Sequence, residues 1–170
     1  VKRLGKEVEQ RGLMTRKRGV FTLTGAGRQA IKVVMTGGVF DIIHTGHLHT
    51  LSSAKSLGDV LVVSVARNST VIRNKNRAPV FDERSRVELV GSLRLVDVAL
   101  LGSEKDIFET VERVHPDVIA VGYDQKHDER QLVEGSGKRG IHADVVRLTS
   151  PLPHIKSSKL KTNWKLLEEL

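Results

Sequence analysis

The chain has no cysteine, which excludes disulfides, thiolate zinc sites and cysteine nucleophiles together. It has no apolar run near the roughly 20 residues a transmembrane helix needs, and residues 1–20 are too charged for a secretory signal. The expectation is therefore a cytoplasmic protein with no membrane partner. No internal repeat and no low-complexity segment is visible. What remains is a globular chain of 170 residues, enough for one ordinary domain and a small appendage.

The net charge of +8 suggests a nucleic-acid partner until it is divided along the chain. Residues 1–32 hold nine Lys/Arg against two Glu, a net +7, which leaves +1 for residues 33–170. From residue 32 onward, strand-length apolar runs alternate with amphipathic stretches of helical length, the pattern of βαβ units around a parallel sheet. Strands are predicted at Lys32–Thr36, Val60–Ala66, Val96–Leu101, Val118–Val121 and Val145–Leu148. Helices are predicted at His44–Leu57, Asp82–Leu93, Asp106–Val114, around Glu129–Glu134 and at Ser157–Leu170. The fold class is α/β, a doubly wound, five-stranded, Rossmann-like sheet over residues 32–170, with its ligand crevice beyond the carboxyl ends of the strands.

Residues 1–31 fall outside that alternation. Val1–Gly12 reads as a short basic helix, Leu13–Thr24 as a hairpin turning at Arg16-Lys17-Arg18-Gly19, and Leu23-Thr24-Gly25-Ala26-Gly27-Arg28 as a further helix start. The segment resembles the last third of a winged helix-turn-helix domain, which needs about twice this length to bury a core. Such a segment implies DNA as a partner. A solvated basic extension without a partner is the alternative.

The richest stretch is Thr36-Gly37-Gly38-Val39-Phe40-Asp41-Ile42-Ile43-His44-Thr45-Gly46-His47-Leu48, directly after an apolar run. A strand that breaks at two glycines and restarts as a helix brings backbone amides, a helix dipole and two imidazoles to one point. Imidazoles there can donate to charge developing on phosphoryl oxygens. Two histidines three apart can also be a metal pair or an exposed polar face. The pattern Gly-x-Phe-Asp-x-x-His-x-Gly-His, met by Gly38, Phe40, Asp41, His44, Gly46 and His47, resembles that of the His-x-Gly-His nucleotidyltransferases. These enzymes attack the α-phosphate of a nucleoside triphosphate and release pyrophosphate.

That resemblance covers about residues 32–162 and implies roles for further residues. His44 and His47 would hold phosphates, and Thr36, Gly37, Gly38, Phe40 and Gly46 would line the nucleotide site. Lys75, in the basic stretch Arg67 to Arg77 read here as a mobile loop, would act with them by neutralising the triphosphate. Arg86 would sit near the phosphates, or else pair with Asp82 on an exposed helix. Gly122, Asp124 and Gln125 would read ribose or base, and Asp41 would orient Mg²⁺ or the acceptor. Ser157 and Ser158 would offer donors to phosphates at a helix start, or be an ordinary cap.

Gly122-Tyr123-Asp124-Gln125, Leu57-Gly58-Asp59 and Ala66-Arg67 look like the archaeal FAD synthase branch. Ser150-Pro151-Leu152-Pro153 stands where cytidylyltransferases carry an arginine. The resemblance thus implies ATP as the triphosphate and a phosphorylated small-molecule acceptor, FMN, with Mg²⁺ accompanying the nucleotide. CTP with glycerol 3-phosphate is the runner-up. A DNA-binding regulator with a nucleotide-sensing domain is the reading from another class, and a homodimer is expected by analogy alone.

Overall fold

The computed structural model describes residues 10–149 apart from 124 and 126. The expected helices at Val1–Gly12, in all but its last residues, and at Ser157–Leu170, with Asp124, Ser157 and Ser158, lie outside the described residues. The chain forms two compact units, residues 1–32 and 33–170, one residue from the boundary expected at 31/32.

In the first unit, β1 (Met14–Lys17) and β2 (Val20–Leu23) pair antiparallel in the register Lys17↔Val20. The two linking residues, Arg18 and Gly19, both take positive φ, 49° and 83°, which is the type I′ geometry that follows the twist of a hairpin. Thr24 caps α1 (Gly25–Gln29), accepting from the Gly27 amide at 3.0 Å and donating to the Gly12 carbonyl at 2.7 Å. Gly27 is required there, because a Cβ would stand 1.8 Å from the Leu13 carbonyl oxygen. Among the described residues this unit is a hairpin and one short helix. A winged helix is a larger object and is not established by them.

The second unit is built on β3 (Val33–Gly38), β4 (Val60–Val65), β5 (Val98–Leu101), β6 (Val118–Val121) and β7 (Asp144–Arg147), all parallel, in the order β5-β4-β3-β6-β7. The chain winds outward from the central β3 in one direction, then returns to its other side at β6. The topological switch therefore falls between β3 and β6. Alternate residues serve opposite faces: Val34, Val118 and Ala120 pack with Leu51, Ala54 and Val90, whereas Met35, Ile119 and Val121 pack with Val111 and Leu132. One face is thus covered by α2 (Thr45–Lys55) and α4 (Glu83–Gly91), the other by α5 (Ile107–Val114) and α6 (Glu129–Gly137).

Aspartates start three of these helices, two of them, Asp82 and Asp106, where the sequence reading began a helix: Asp82, Asp106 and Asp128 each accept from amides of the first turn. Asp97 ties the other side of the sheet, accepting from the Leu61 amide at 2.6 Å and from the Lys55 ammonium. Burial by itself would raise its pKa, but the amide and the ammonium prevail and hold it below the ordinary carboxylate value.

One element contradicts the sequence reading. The stretch Arg67 to Arg77, expected as a mobile loop, contains helix α3 (Asn68–Lys75), which ends at Asn76 in the left-handed region with φ 50°. Its cap is not local: the Asn68 amide donates to Glu83 Oε2 at 2.8 Å, and Glu83 Oε1 takes Arg67 at 3.2 Å.

Candidate active site

β3 ends at the switch, where its carboxyl end meets that of β6. Thr36 Oγ1 donates to the Ala120 carbonyl at 2.8 Å, and Gln125 Nε2 donates to the Gly37 carbonyl at 2.5 Å while its Oε1 accepts from the Gly122 amide at 3.2 Å. Both side chains had been expected at the nucleotide. Thr36 instead spends its hydroxyl bracing the two strands, and Gln125 spends its amide setting the spacing of their ends.

The glycines have distinct reasons. A Cβ on Gly38 would lie 2.8 Å from Cε2 of Phe40, so this residue is small to admit a ring rather than a ligand. Phe40 itself adopts φ 51°, and its ring, 3% exposed, joins the core beneath the site. A Cβ on Gly37 would press on the Ser64 carbonyl at 3.4 Å, and one on Gly122 would meet Gln125 at the same distance.

The left-handed turn at Phe40 directs the chain into α2, whose cap is His44 in an extended conformation, φ −142° and ψ 172°. The His47 ring lies 3.9 Å from that of His44 and 5.3 Å from that of Phe40, centroid to centroid. The His44 amide donates to His47 Nδ1 at 3.4 Å, an arrangement that leaves the proton of a neutral His47 on Nε2. Gly46 lies in the first turn and accepts from Thr50 Oγ1 at 3.1 Å through its carbonyl. First-turn amides, helix dipole and two imidazoles therefore converge as the sequence motif requires.

Two charged residues have different partners from those expected. Arg86 is fully buried (0% exposed) and donates to the carbonyls of Val39 at 2.6 Å and Phe81 at 3.1 Å and to Asn68 Oδ1 at 2.8 Å. It is neither an exposed partner of Asp82 nor disposed as a phosphate ligand; it clamps the glycine turn to α3 and α4. Burial lowers the pKa of its guanidinium, against the pull of Asp41, Glu83 and Asp82. Asp41, 3% exposed, accepts the amides of Val80 at 2.7 Å and Phe81 at 3.2 Å through Oδ1, and its Oδ2 stands 3.8 Å from Arg77. Instead of presenting an open carboxylate, it anchors the segment before α4. Lys75 lies in the last turn of α3, with an exposed side chain.

Sequence reasoning overlooked Arg147 at the end of β7. Its guanidinium donates to the carbonyls of Gly122 at 3.3 Å, Gln125 at 3.0 Å and His127 at 2.7 Å, and pairs with Glu129 at 2.6 Å. It holds the loop beyond β6 from behind. No local pattern announces this role, since every partner is 18 or more residues away.

A topological switch in a parallel sheet, followed by a glycine turn and a histidine-bearing helix start, defines a Rossmann-like nucleotide-binding protein. A family model described as cytidylyltransferase-like matches residues 35–163, and the chain belongs to that family and is a nucleotidyltransferase. Among its relatives, the FAD synthase of Thermoplasma volcanium is 50% identical over 125 residues, covering 74% of this chain and 87% of the relative. The FAD synthase of Aciduliprofundum boonei is 53% identical over 115 residues, covering 68% and 76%. A crystal structure of the lipopolysaccharide core biosynthesis protein from Thermoplasma volcanium GSS1 is similar with a TM-score of 0.68 at 50% identity, covering 71% of this chain and 98% of that one. The pantoate–β-alanine ligase of Francisella tularensis, at 17% identity and a TM-score of 0.52 over 82% of this chain and 71% of that one, shares the fold.

Proposed function

We propose that this nucleotidyltransferase transfers the adenylyl group of ATP to FMN, giving FAD and pyrophosphate. The observation that carries the reading is the identity of about half with several FAD synthases over 68–75% of this chain, with His44 and His47 in place at the start of α2. In this reaction an oxygen of the acceptor phosphate attacks the α-phosphorus in line. The bond from the α-phosphorus to the bridging oxygen breaks, and pyrophosphate departs with that oxygen. The protein's share is positioning and charge stabilisation.

His47 Nε2–H and the His44 ring would donate to the oxygens of the five-coordinate phosphorus, and the first-turn amides of α2 would hold the triphosphate. Lys75, with Ser157 and Ser158, would neutralise the leaving pyrophosphate, and Asp124 would read ribose or base. Among the described residues no group of three His, Asp or Glu forms a metal cage, and Asp41 is engaged by amides. Magnesium therefore fits as part of the substrate, a Mg–nucleotide whose ion keeps phosphate and water ligands. The test is product mass after incubation of ATP or CTP with FMN or glycerol 3-phosphate. FAD from ATP and FMN is expected; CDP-glycerol without FAD would replace the reading by the cytidylyl one.

A second activity has its own observation. The β1–β2 turn carries Arg16, Lys17 and Arg18 at the tip of a type I′ hairpin, in a unit, residues 1–32, with seven of the eight net charges. Cations presented in this way match a nucleic-acid backbone. We propose that residues 1–31, completed by upstream sequence or by a partner subunit, contact duplex DNA.

A further inference from the structure

We propose that residues 77–81 form the acceptor subsite, with Arg77 meeting the acceptor's phosphate and Val80 and Phe81 supporting a planar ring. The proposal rests on the FAD-forming reading above and adds the surface that selects a flavin.

The segment leaves α3 through left-handed Asn76 and contains Pro79, whose ring fixes φ. Two buried charged side chains then immobilise its backbone. Asp41 takes the amides of both Val80 and Phe81, and Arg86 takes the Phe81 carbonyl. A backbone fixed at three points by residues 3% and 0% exposed is part of the core scaffold, yet the side chains it carries are left out of the core. Val80 is 60% exposed and Phe81 48%. Holding two large apolar side chains rigidly in water forgoes about 25 cal/mol per Å² of burial, a cost recovered when a ligand covers them.

The position fits an acceptor. Asp41 lies three residues before His44, and Phe40, between the glycines and Asp41, touches His47. Arg77 stands 3.8 Å from the same carboxylate, beyond hydrogen-bond range, with its side chain 36% exposed. One carboxylate, three residues before His44 in the chain, thus gathers a cation and two exposed apolar side chains. The complementary ligand joins a phosphate to a flat aromatic ring, as FMN does; glycerol 3-phosphate has nothing for the apolar pair. Two side chains are also far short of the roughly 800 Å² per partner that a stable protein interface buries.

The test uses the full chain with Phe81→Ala, Phe81→Trp and Arg77→Ala. Phe81→Ala should raise KM for FMN about tenfold, the equivalent of ~1.4 kcal/mol, with KM for ATP within about twofold. Phe81→Trp should restore KM, and Arg77→Ala should raise KM for FMN while leaving the quenching of riboflavin fluorescence on binding intact. Circular dichroism confirms that each variant is folded, and Phe81→Trp keeps the question open to measurement if Phe81→Ala does not fold. FAD formation by Phe81→Ala with unchanged KM for FMN would overturn the proposal, as would a change of oligomeric state in place of a change in KM. Absence of FAD formation by the wild-type chain would instead remove the reading of function, and this subsite with it.

Discussion

His47 is held from two sides, by the His44 backbone amide and by the Phe40 ring, so its imidazole is preorganised for the transition-state role proposed above. Loss of one such donor typically costs about 10² to 10³ in rate, and we predict that His47→Ala lowers kcat at least about a hundredfold with an unchanged urea midpoint. Gly38 works one step further back. An added methyl group there must displace the Phe40 ring, so Gly38→Ala should cost about 1–3 kcal/mol of stability, read by urea denaturation, and lower kcat as well because His47 loses its support. The residues proposed to act on the phosphates could be singled out in sequence because the motif is contiguous. The duties of Thr36, Gln125, Asp41, Arg86 and Arg147 could not, because the decisive partners are remote in the chain: 84 residues away for Thr36, 88 for the Gln125 bond to Gly37, 39 and 40 for Asp41, 47 for Arg86 to Val39, and 18 to 25 for Arg147.

At the scale of elements, the alternation of apolar runs and amphipathic stretches located α2, α4, α5 and α6 to within a few residues, and all five strands. Helix α3 was missed for a physical reason: only Val71 of its residues is buried, which leaves no apolar stripe to read, and its N-terminal cap comes from another helix. We predict that Glu83→Ala, which removes both the Asn68 acceptor and the Arg67 partner, loosens α3 and thereby Lys75. Hydrogen exchange at the first amides of α3 should accelerate, at a global cost of about 1–2 kcal/mol. The Asp97 tie gives a pH signature. Its folded pKa lies below the ordinary value, so its stabilisation is complete above the unfolded pKa and is lost as pH falls through the folded one. Urea midpoints of wild type should therefore drop between about pH 5 and pH 3 more steeply than those of Asp97→Asn.

At the scale of the whole molecule, alternation of strand and helix sufficed to place a doubly wound sheet, while the strand order had to be seen. Charge division along the chain separated the two units almost at the observed boundary. The salt dependence of catalysis and of the proposed DNA contact should separate likewise. Duplex-DNA affinity of the longest natural chain should fall steeply between low and moderate salt and should fall again when Arg16, Lys17 and Arg18 become Ala; independence of both would reduce the segment to a solvated extension. The switch between β3 and β6 has a further consequence. It is a seam between two halves of the chain, residues 33–101 and 107–147, sewn at its open end by Thr36 to Ala120 and by Gln125 to Gly37. A nucleotide bound across that seam, as the proposed site would have it, would act as a rivet, opposing separation of the halves by about 2.7 kcal/mol at a hundred times its Kd. In a unit of this size that is roughly 5–10 °C in melting temperature, so a thermal scan with each triphosphate ranks the nucleotides before any acceptor is supplied.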